Sequence, residues 1–398
     1  MFTTYLTAAI ISFMFLTVAV LGFADRRKKR TLDSWPQLSF IIPCYNDADS
    51  VAQTLRSIYD ICGPNTDATV IDDCSTDNSP MILKALKEEL GFNLVANASN
   101  LGKSKTLNDH FRLAKHEVVV LVDADVIVSR KPLEDAVARL QSQDVGAVSC
   151  PYHCANRGLI PLMQNIEYNM LSFVQGAYNV FSAIALWGGF IVIKREAFLQ
   201  AGGFTLNAIT EDMDLAFKLN QNGWRVEQSF YPIHTYVPDT IGKLYRQKIR
   251  WSSGGLQCFI KHYKVWLKNP LHVLFVFSFC ILLTFSALRM GEYVLLWDEI
   301  YQYFDGIYRS GAFWLSLKMT GMKFGLWILK DLTWLIAFTL FSLPFVLPLV
   351  STFKRLYICF LVIPFSIIYV PLFSSISIIG ALCFLQKRRR LRDGVRAW

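Results

Sequence analysis

Acidic residues stand directly after short apolar runs at widely separated places in this chain. Asp72 and Asp73 follow Thr69-Val70-Ile71, and Asp123 and Asp125 follow the run from Val118 to Val122. Two carboxylates spaced Asp-x-Asp in extended chain point the same way, about 7 Å apart by strand rise. Such a pair suits a magnesium or manganese ion held by one or two carboxylates, with phosphate oxygens and water completing its shell. An isolated Asp-x-Asp is also an ordinary acidic turn, and only its place at the end of a buried-strand pattern makes it a metal candidate. Asn100-Leu101-Gly102-Lys103-Ser104 has the ending of a P-loop, but that motif needs a glycine where Asn97 stands, so an ATPase reading fails. A Gly-Lys turn opening a helix still offers backbone donors and an ammonium group to a phosphate.

Other polar clusters have plain structural readings. Thr210-Glu211-Asp212 precedes Leu215 and Leu219, with Gly223 as a stop. This predicts a short helix in which Thr210 caps and the two acids complement the dipole. Gln247-Lys248-Ile249-Arg250-Trp251 reads as a surface helix turn. Cys150, His153 and Cys154 lie close together, but three candidate ligands without a fourth make poor zinc chemistry. The nine cysteines show no repeating spacing and are expected to be reduced thiols.

The elements that must position these groups alternate in type. Phe40-Ile41-Ile42, Thr69-Val70-Ile71 and Val118 to Val122 are apolar runs that end abruptly in polar residues, as buried parallel strands do where they emerge into loops. Helical patterns lie between them. The expected fold class is therefore α/β, with an open, mostly parallel sheet. Ligands of such sheets bind outside the carboxyl ends of the strands, so the polar clusters should face one crevice.

The flanks are of another kind. Hydrophobic residues make up 53% of the 398 and charged residues 18%, which is too apolar for an ordinary soluble enzyme. The reading divides the chain into a membrane helix at 1–24, a basic linker at 25–37 and a globular domain at 38–255. An amphipathic interfacial helix at 256–270, a membrane region at 271–385 and a basic tail at 386–398 follow. Phe2 to Phe23 is long enough to span hydrocarbon, and positive charge follows it rather than preceding it, which argues against a cleaved signal. The globular domain should then face the cytosol at the inner cell membrane. Leu271 to Leu288 and Trp334 to Phe353 read as spans, Phe313 to Leu329 as a weak one. Leu356 to Leu385, broken by Pro364 and Pro371, reads either as a span with an interfacial piece or as a re-entrant pair. The net charge of +9 invites a nucleic-acid reading, but much of the excess sits at Arg26–Arg30 and Lys387–Arg390 beside apolar runs. Anionic lipid headgroups are the simpler partner, and no nucleic acid is expected.

Taken in order, Asp-Asp, Asp-x-Asp, Thr-Glu-Asp and Gln-x-x-Arg-Trp resemble the processive family 2 inverting glycosyltransferases of the cellulose, chitin and hyaluronan synthase group, and most of all bacterial poly-N-acetylglucosamine synthases. The resemblance covers Leu38 to Gln257. It implies a GT-A domain flanked by transmembrane helices, a UDP-sugar donor, a polysaccharide or lipid acceptor and a Mg2+ or Mn2+ cofactor, and leaves room for a small membrane accessory subunit. It implies that Pro43, Tyr45, Asp72 and Asp73 form the uridine edge, that Lys103 contacts the nucleotide, and that Asp123 and Asp125 serve the metal and diphosphate. Asp212 would be the general base, while Gln247, Arg250 and Trp251 would close over the diphosphate and the acceptor end. Asp47 stands where the family often has Glu, and Cys74 where it usually has Gly. A non-processive lipid glycosyltransferase and a nucleotide-sugar-sensing channel without catalysis are the alternatives.

Overall fold

The computed structural model describes residues 34–63, 66–179, 185–268 and 370–392, with a few isolated positions elsewhere. The spans expected at 2–23, 313–329 and 334–353, and nearly all of 271–288, lie outside the described residues. Among the described residues no helix is long and apolar enough to cross a membrane. The chain divides into two compact units. The first contains the chain up to Leu244 and Gly254–Pro270, and the second contains Tyr245–Ser253 and Leu271–Leu385.

The first unit carries strands β1 (Leu38–Cys44), β2 (Asp67–Asp72), β3 (Asn93–Ala96), β4 (Val118–Val122), β5 (Val126–Ile127), β6 (Val145–Ser149), β7 (Tyr152–Cys154), β8 (Phe190–Lys194), β9 (Arg225–Gln228) and β10 (Ile233–Thr235). Between them lie helices α1 (Val51–Cys62), α2 (Ser79–Leu90), α3 (Lys103–His110), α4 (Arg130–Leu140), α5 (Leu159–Tyr178), α6 (Arg195–Gln200) and α7 (Glu211–Gln221). Helix α8 (Ile241–Lys261) follows, then the single turn α9 (Tyr263–Trp266) and α10 (Val370–Arg392), which the second unit holds up to Leu385.

A seven-stranded sheet is ordered β3-β2-β1-β4-β8-β6-β9. Phe40, Ile41 and Ile42 are almost fully buried, as a central strand covered on both faces requires. Val51, Leu55 and Ile58 of α1 recur at helical spacing and are also fully buried, each worth about 1.5–3 kcal/mol of transfer energy. A buried ion pair braces this unit, with Arg139 on α4 held by Asp135 at 2.8 Å and by Glu227 on β9 at 3.1 Å.

The parallel sheet expected from the apolar runs holds across β3, β2, β1 and β4. It breaks at β8, which runs antiparallel to both β4 and β6. The reversal matters for the site. An antiparallel strand begins at the edge where its parallel neighbours end, so the residues that lead into β8 arrive beside the last residues of β4. Val122 accordingly pairs with Phe190. A second, three-stranded sheet is ordered β5-β10-β7.

The helix expected to begin at 256 is instead the end of α8, which runs unbroken from Ile241 to Lys261, and Thr240 caps it by accepting from Lys243 N–H. Its central turns belong to the second unit. There Ser253 Oγ donates to the Gly380 carbonyl at 2.7 Å, and a Cβ on Gly380 would lie 2.9 Å from the Ser252 Cβ. A glycine is what lets α10 approach α8 so closely. The buried Lys248 ammonium sits 4.2 Å from the centre of the Trp251 ring and 5.0 Å from that of Phe373.

Candidate active site

The loop after β2 is built around Asp73. Its carboxylate accepts from Asn97 Nδ2 at 2.8 Å, Leu101 N–H at 2.9 Å and Gly102 N–H at 2.7 Å. Burial raises its pKa, but those donors outweigh burial and hold it below the usual carboxylate range. Two of the backbone donors of this turn, Leu101 and Gly102 N–H, are thus already engaged by Asp73. Asp72 accepts from Ser75 N–H at 3.1 Å. Cys74, where a glycine was expected, adopts a left-handed conformation with φ of 63°. The chain therefore follows the path a glycine would take, at a steric cost of about 1–2 kcal/mol.

Asp73 fixes the turn that starts α3, and so aims Lys103. The Lys103 ammonium touches both oxygens of Asp123, at 2.7 and 2.8 Å, the Gly188 carbonyl at 3.2 Å and Glu211 at 3.5 Å. Burial works against its charge, but Asp123 and then Glu211 prevail and raise its pKa above the ordinary value. One cation thereby ties together the end of β4, the entry to β8 and the start of α7.

Asp123 and Asp125 are not in extended chain. The Asp123 carbonyl accepts from Val126 N–H at 3.1 Å, so Ala124 and Asp125 form a turn and the strand-rise separation does not apply. The two remain electrostatic neighbours. Burial first, then Asp123 and Asp47, raise Asp125 to about 7. Burial also raises Asp47, aided by Asp123. Among the described residues no three His, Cys, Asp or Glu side chains are grouped as a metal cage. A divalent ion held by one or two carboxylates and a diphosphate needs none. The surplus negative charge around Asp125 is what such an ion would relieve, so the residues present fit it.

Helix α7 starts as expected, but Thr210 does not cap it. No cap bond is made, and its hydroxyl lies 3.6 Å from Cys258 Sγ. Glu211 stands in the first turn, as its reading as a dipole complement requires, and also reaches Lys103. Asp212 packs on the Gly188 backbone so closely that a Cβ there would lie 2.6 Å from Asp212 Oδ2. Two residues on, the buried Asp214 binds Thr205 Oγ1 at 2.5 Å, Lys261 Nζ at 2.6 Å and His262 Nε2 at 2.8 Å. Burial raises its pKa, but His262, Lys261 and Thr205 overcome this and hold it well below the usual range. This clamp fastens the helix that carries Asp212.

The structure therefore brings Lys103, Asp123, Asp125 and Asp212 to one edge of the sheet, with Asp72 ending β2 beside it and Asp73 opening the loop that follows. Pro43 lies within β1, directly before that edge, and Tyr45 follows it with its ring 46% exposed. Gln247, Arg250 and Trp251 are carried by the second unit, where Gln247 Oε1 is buried without a hydrogen-bond partner among the described residues. Cys150 bonds the Pro132 carbonyl and Cys154 the Pro161 carbonyl, both backbone contacts. Sequence reasoning noted Asp47 without giving it a role and missed Gly188, Gly189 and Tyr152, all of which lie beside the carboxylates. A Gly-Gly pair opening the apolar run Phe190–Ile193 was the available signal for the two glycines.

Residues 39–201 match the sequence profile described as glycosyl transferase family 2. The chain is 25% identical over 260 residues to a poly-beta-1,6-N-acetyl-D-glucosamine synthase of Staphylococcus aureus (strain MSSA476), covering 64% of this chain and 63% of that protein. It is 27% identical over 251 residues to the enzyme of the same description from Staphylococcus epidermidis, covering 61% of this chain and 60% of the relative. It thus spans about three fifths of the length of these relatives. A solved structure of similar fold is the mannosyltransferase PcManGT from Pyrobaculum calidifontis in complex with GDP-Man and Mn2+. The two are 20% identical, with a TM-score of 0.58, over 94% of this chain and 99% of that one.

Proposed function

We propose that this chain, which carries a family 2 glycosyltransferase domain resembling the poly-N-acetylglucosamine synthase group, transfers N-acetylglucosamine from its UDP donor to a growing β-linked polysaccharide. The observation that carries the reading is the Lys103 contact set, which gathers Asp123, Glu211 and the Gly188 carbonyl around one ammonium, with Asp212 packed on the same glycine. The described names of the relatives support the choice of sugar.

The chemistry follows from these groups. Asp212 accepts the proton of the acceptor hydroxyl as it attacks the anomeric carbon, a role worth about 10²–10⁴ in rate. Inversion of an α-linked donor then gives a β-linked product. Lys103 is oriented toward the carboxylate edge and stabilises the negative charge that collects on the departing UDP. Asp123 and Asp125 would hold Mg2+ or Mn2+, which supplies further charge stabilisation to the diphosphate when bound. Asp72 and Tyr45 lie where a uridine would meet the sheet edge, while Asp73 shapes the loop that aims Lys103. By the family resemblance Gln247, Arg250 and Trp251 serve the diphosphate and the acceptor end, the indole offering an apolar face to a sugar. The apolar runs outside the described residues anchor the enzyme in the inner membrane with its domain toward the cytosol.

Membranes carrying the protein, incubated with labelled UDP-N-acetylglucosamine and Mn2+, should yield long polymer. Products with one added sugar on a lipid would refute processivity. Binding of UDP without any transfer would instead identify a nucleotide-sugar sensor.

A further inference from the structure

The residues leading into β8 serve the site as a common abutment. Gly188 offers its carbonyl to Lys103 and its bare Cα face to Asp212. Gly189 accepts from Asp123 N–H at 2.9 Å through its carbonyl. One dipeptide thus sets the position of the lysine, of the first Asp-x-Asp carboxylate and of the residue assigned as base. What holds that dipeptide is a phenol. The Gly189 N–H donates to Tyr152 Oη, and a Cβ on Gly189 would lie 2.8 Å from that oxygen. The Tyr152 ring is itself fixed edge-on against Trp187, with centroids 4.7 Å apart, and against Tyr168 at 5.9 Å. Both of those rings are buried, so the phenol is carried on a rigid aromatic cluster.

We infer that Tyr152 is a positioning residue for sugar transfer, acting through its hydroxyl on the Gly188–Gly189 peptide against which Lys103, Asp123 and Asp212 are set. The inference rests on the glycosyltransferase reading. The phenol oxygen is the acceptor of the Gly189 N–H, so its loss takes that partner from a backbone donor at the site. Removing the hydroxyl lets the peptide shift by a fraction of an ångström, while the ring still fills its place. Transfer geometry is far more sensitive to such a shift than donor binding, which is spread over many contacts.

The test is Tyr152→Phe in the full chain, purified into lipid nanodiscs and assayed with UDP-N-acetylglucosamine and Mn2+. The expected result is a kcat about tenfold lower, a donor KM within twofold of the parent and a melting temperature unchanged within about 2 °C. An unchanged kcat overturns the inference. So does a parallel loss of kcat, donor affinity and melting temperature, which would make Tyr152 an ordinary core residue. Tyr152→Leu separates ring from hydroxyl, because it should lower the melting temperature as well as kcat; a Leu variant with full kcat also overturns the inference. Absence of transfer by the parent protein would instead overturn the glycosyltransferase reading, and the inference with it.

Discussion

Replacing Asp125 by asparagine should remove a pH-dependent weakness that is built into the metal-free site. Its carboxyl rises from 3.8 to about 7 because burial and the charges of Asp123 and Asp47 disfavour ionisation. At 1.36 kcal/mol per unit, that shift represents about 4 kcal/mol of unfavourable interaction for the ionised form. The sign follows from proton counting. Between pH 4 and 7 the folded protein holds a proton on Asp125 that the unfolded chain has released, so without metal the folded state loses stability as pH rises through this window. A divalent ion held by Asp125 would reverse the balance, because it would bind the ionised carboxylate and have to displace that proton below pH 7. Mn2+ affinity should therefore rise about tenfold per pH unit from 5 to 7 and level off above. The assay is the electron paramagnetic resonance signal of free Mn2+, titrated with protein at half-unit pH steps, for the parent and for Asp125→Asn. The variant should bind more weakly at pH 7.5 and show a flat pH profile. A parent affinity independent of pH, or an unchanged slope in the variant, would refute the assignment of Asp125 as the group that exchanges proton for metal.

Further substitutions probe the scaffold of the site. Gly188→Ala puts a Cβ 2.6 Å from Asp212 Oδ2 and should lower kcat by about 10²-fold while UDP affinity, measured calorimetrically, changes little. Asp73→Ala strands the Asn97, Leu101 and Gly102 donors, so urea unfolding should show a loss of about 1–3 kcal/mol, with weaker UDP binding as the loop before Lys103 loosens. Asp214→Asn removes the charge clamped by His262 and Lys261, and the same unfolding assay should report a loss of about 1.5–3 kcal/mol.

The parts of the fold that could be read from the residues are those governed by local pattern. Val118 to Val122 is apolar throughout and ends in Asp123, and it is a strand that ends there. The same reasoning placed β1, β2 and the start of α7. Direction within the sheet was not readable, because the apolar pattern of Phe190–Ile193 is the same whichever way the strand runs. That hidden reversal is what carries Gly188 and Gly189 into the site. The capping role of Thr210 failed, and the reach of Glu211 to Lys103 went unread, for a related reason. A threonine before two acids is a sound capping pattern, but tertiary partners, Cys258 and Lys103, took both side chains. The left-handed Cys74 shows the converse, since a strained backbone there is held by flanking bonds in which Asp73 N–H donates to the Cys44 carbonyl and Asn97 N–H to the Asp72 carbonyl. Motif spacing also placed Gln247, Arg250 and Trp251 on one helix, while the division of that helix between two units has no local signature.

The central claim is that carboxylates from separate elements converge to move one proton and hold one leaving diphosphate. Initial transfer rates and UDP affinity measured together on Asp212→Asn test it most directly. Transfer should fall by at least about 10²-fold while UDP affinity stays within threefold of the parent. Transfer at the parent rate would contradict the account, because Asp212 would then have no part in the proton transfer proposed for it.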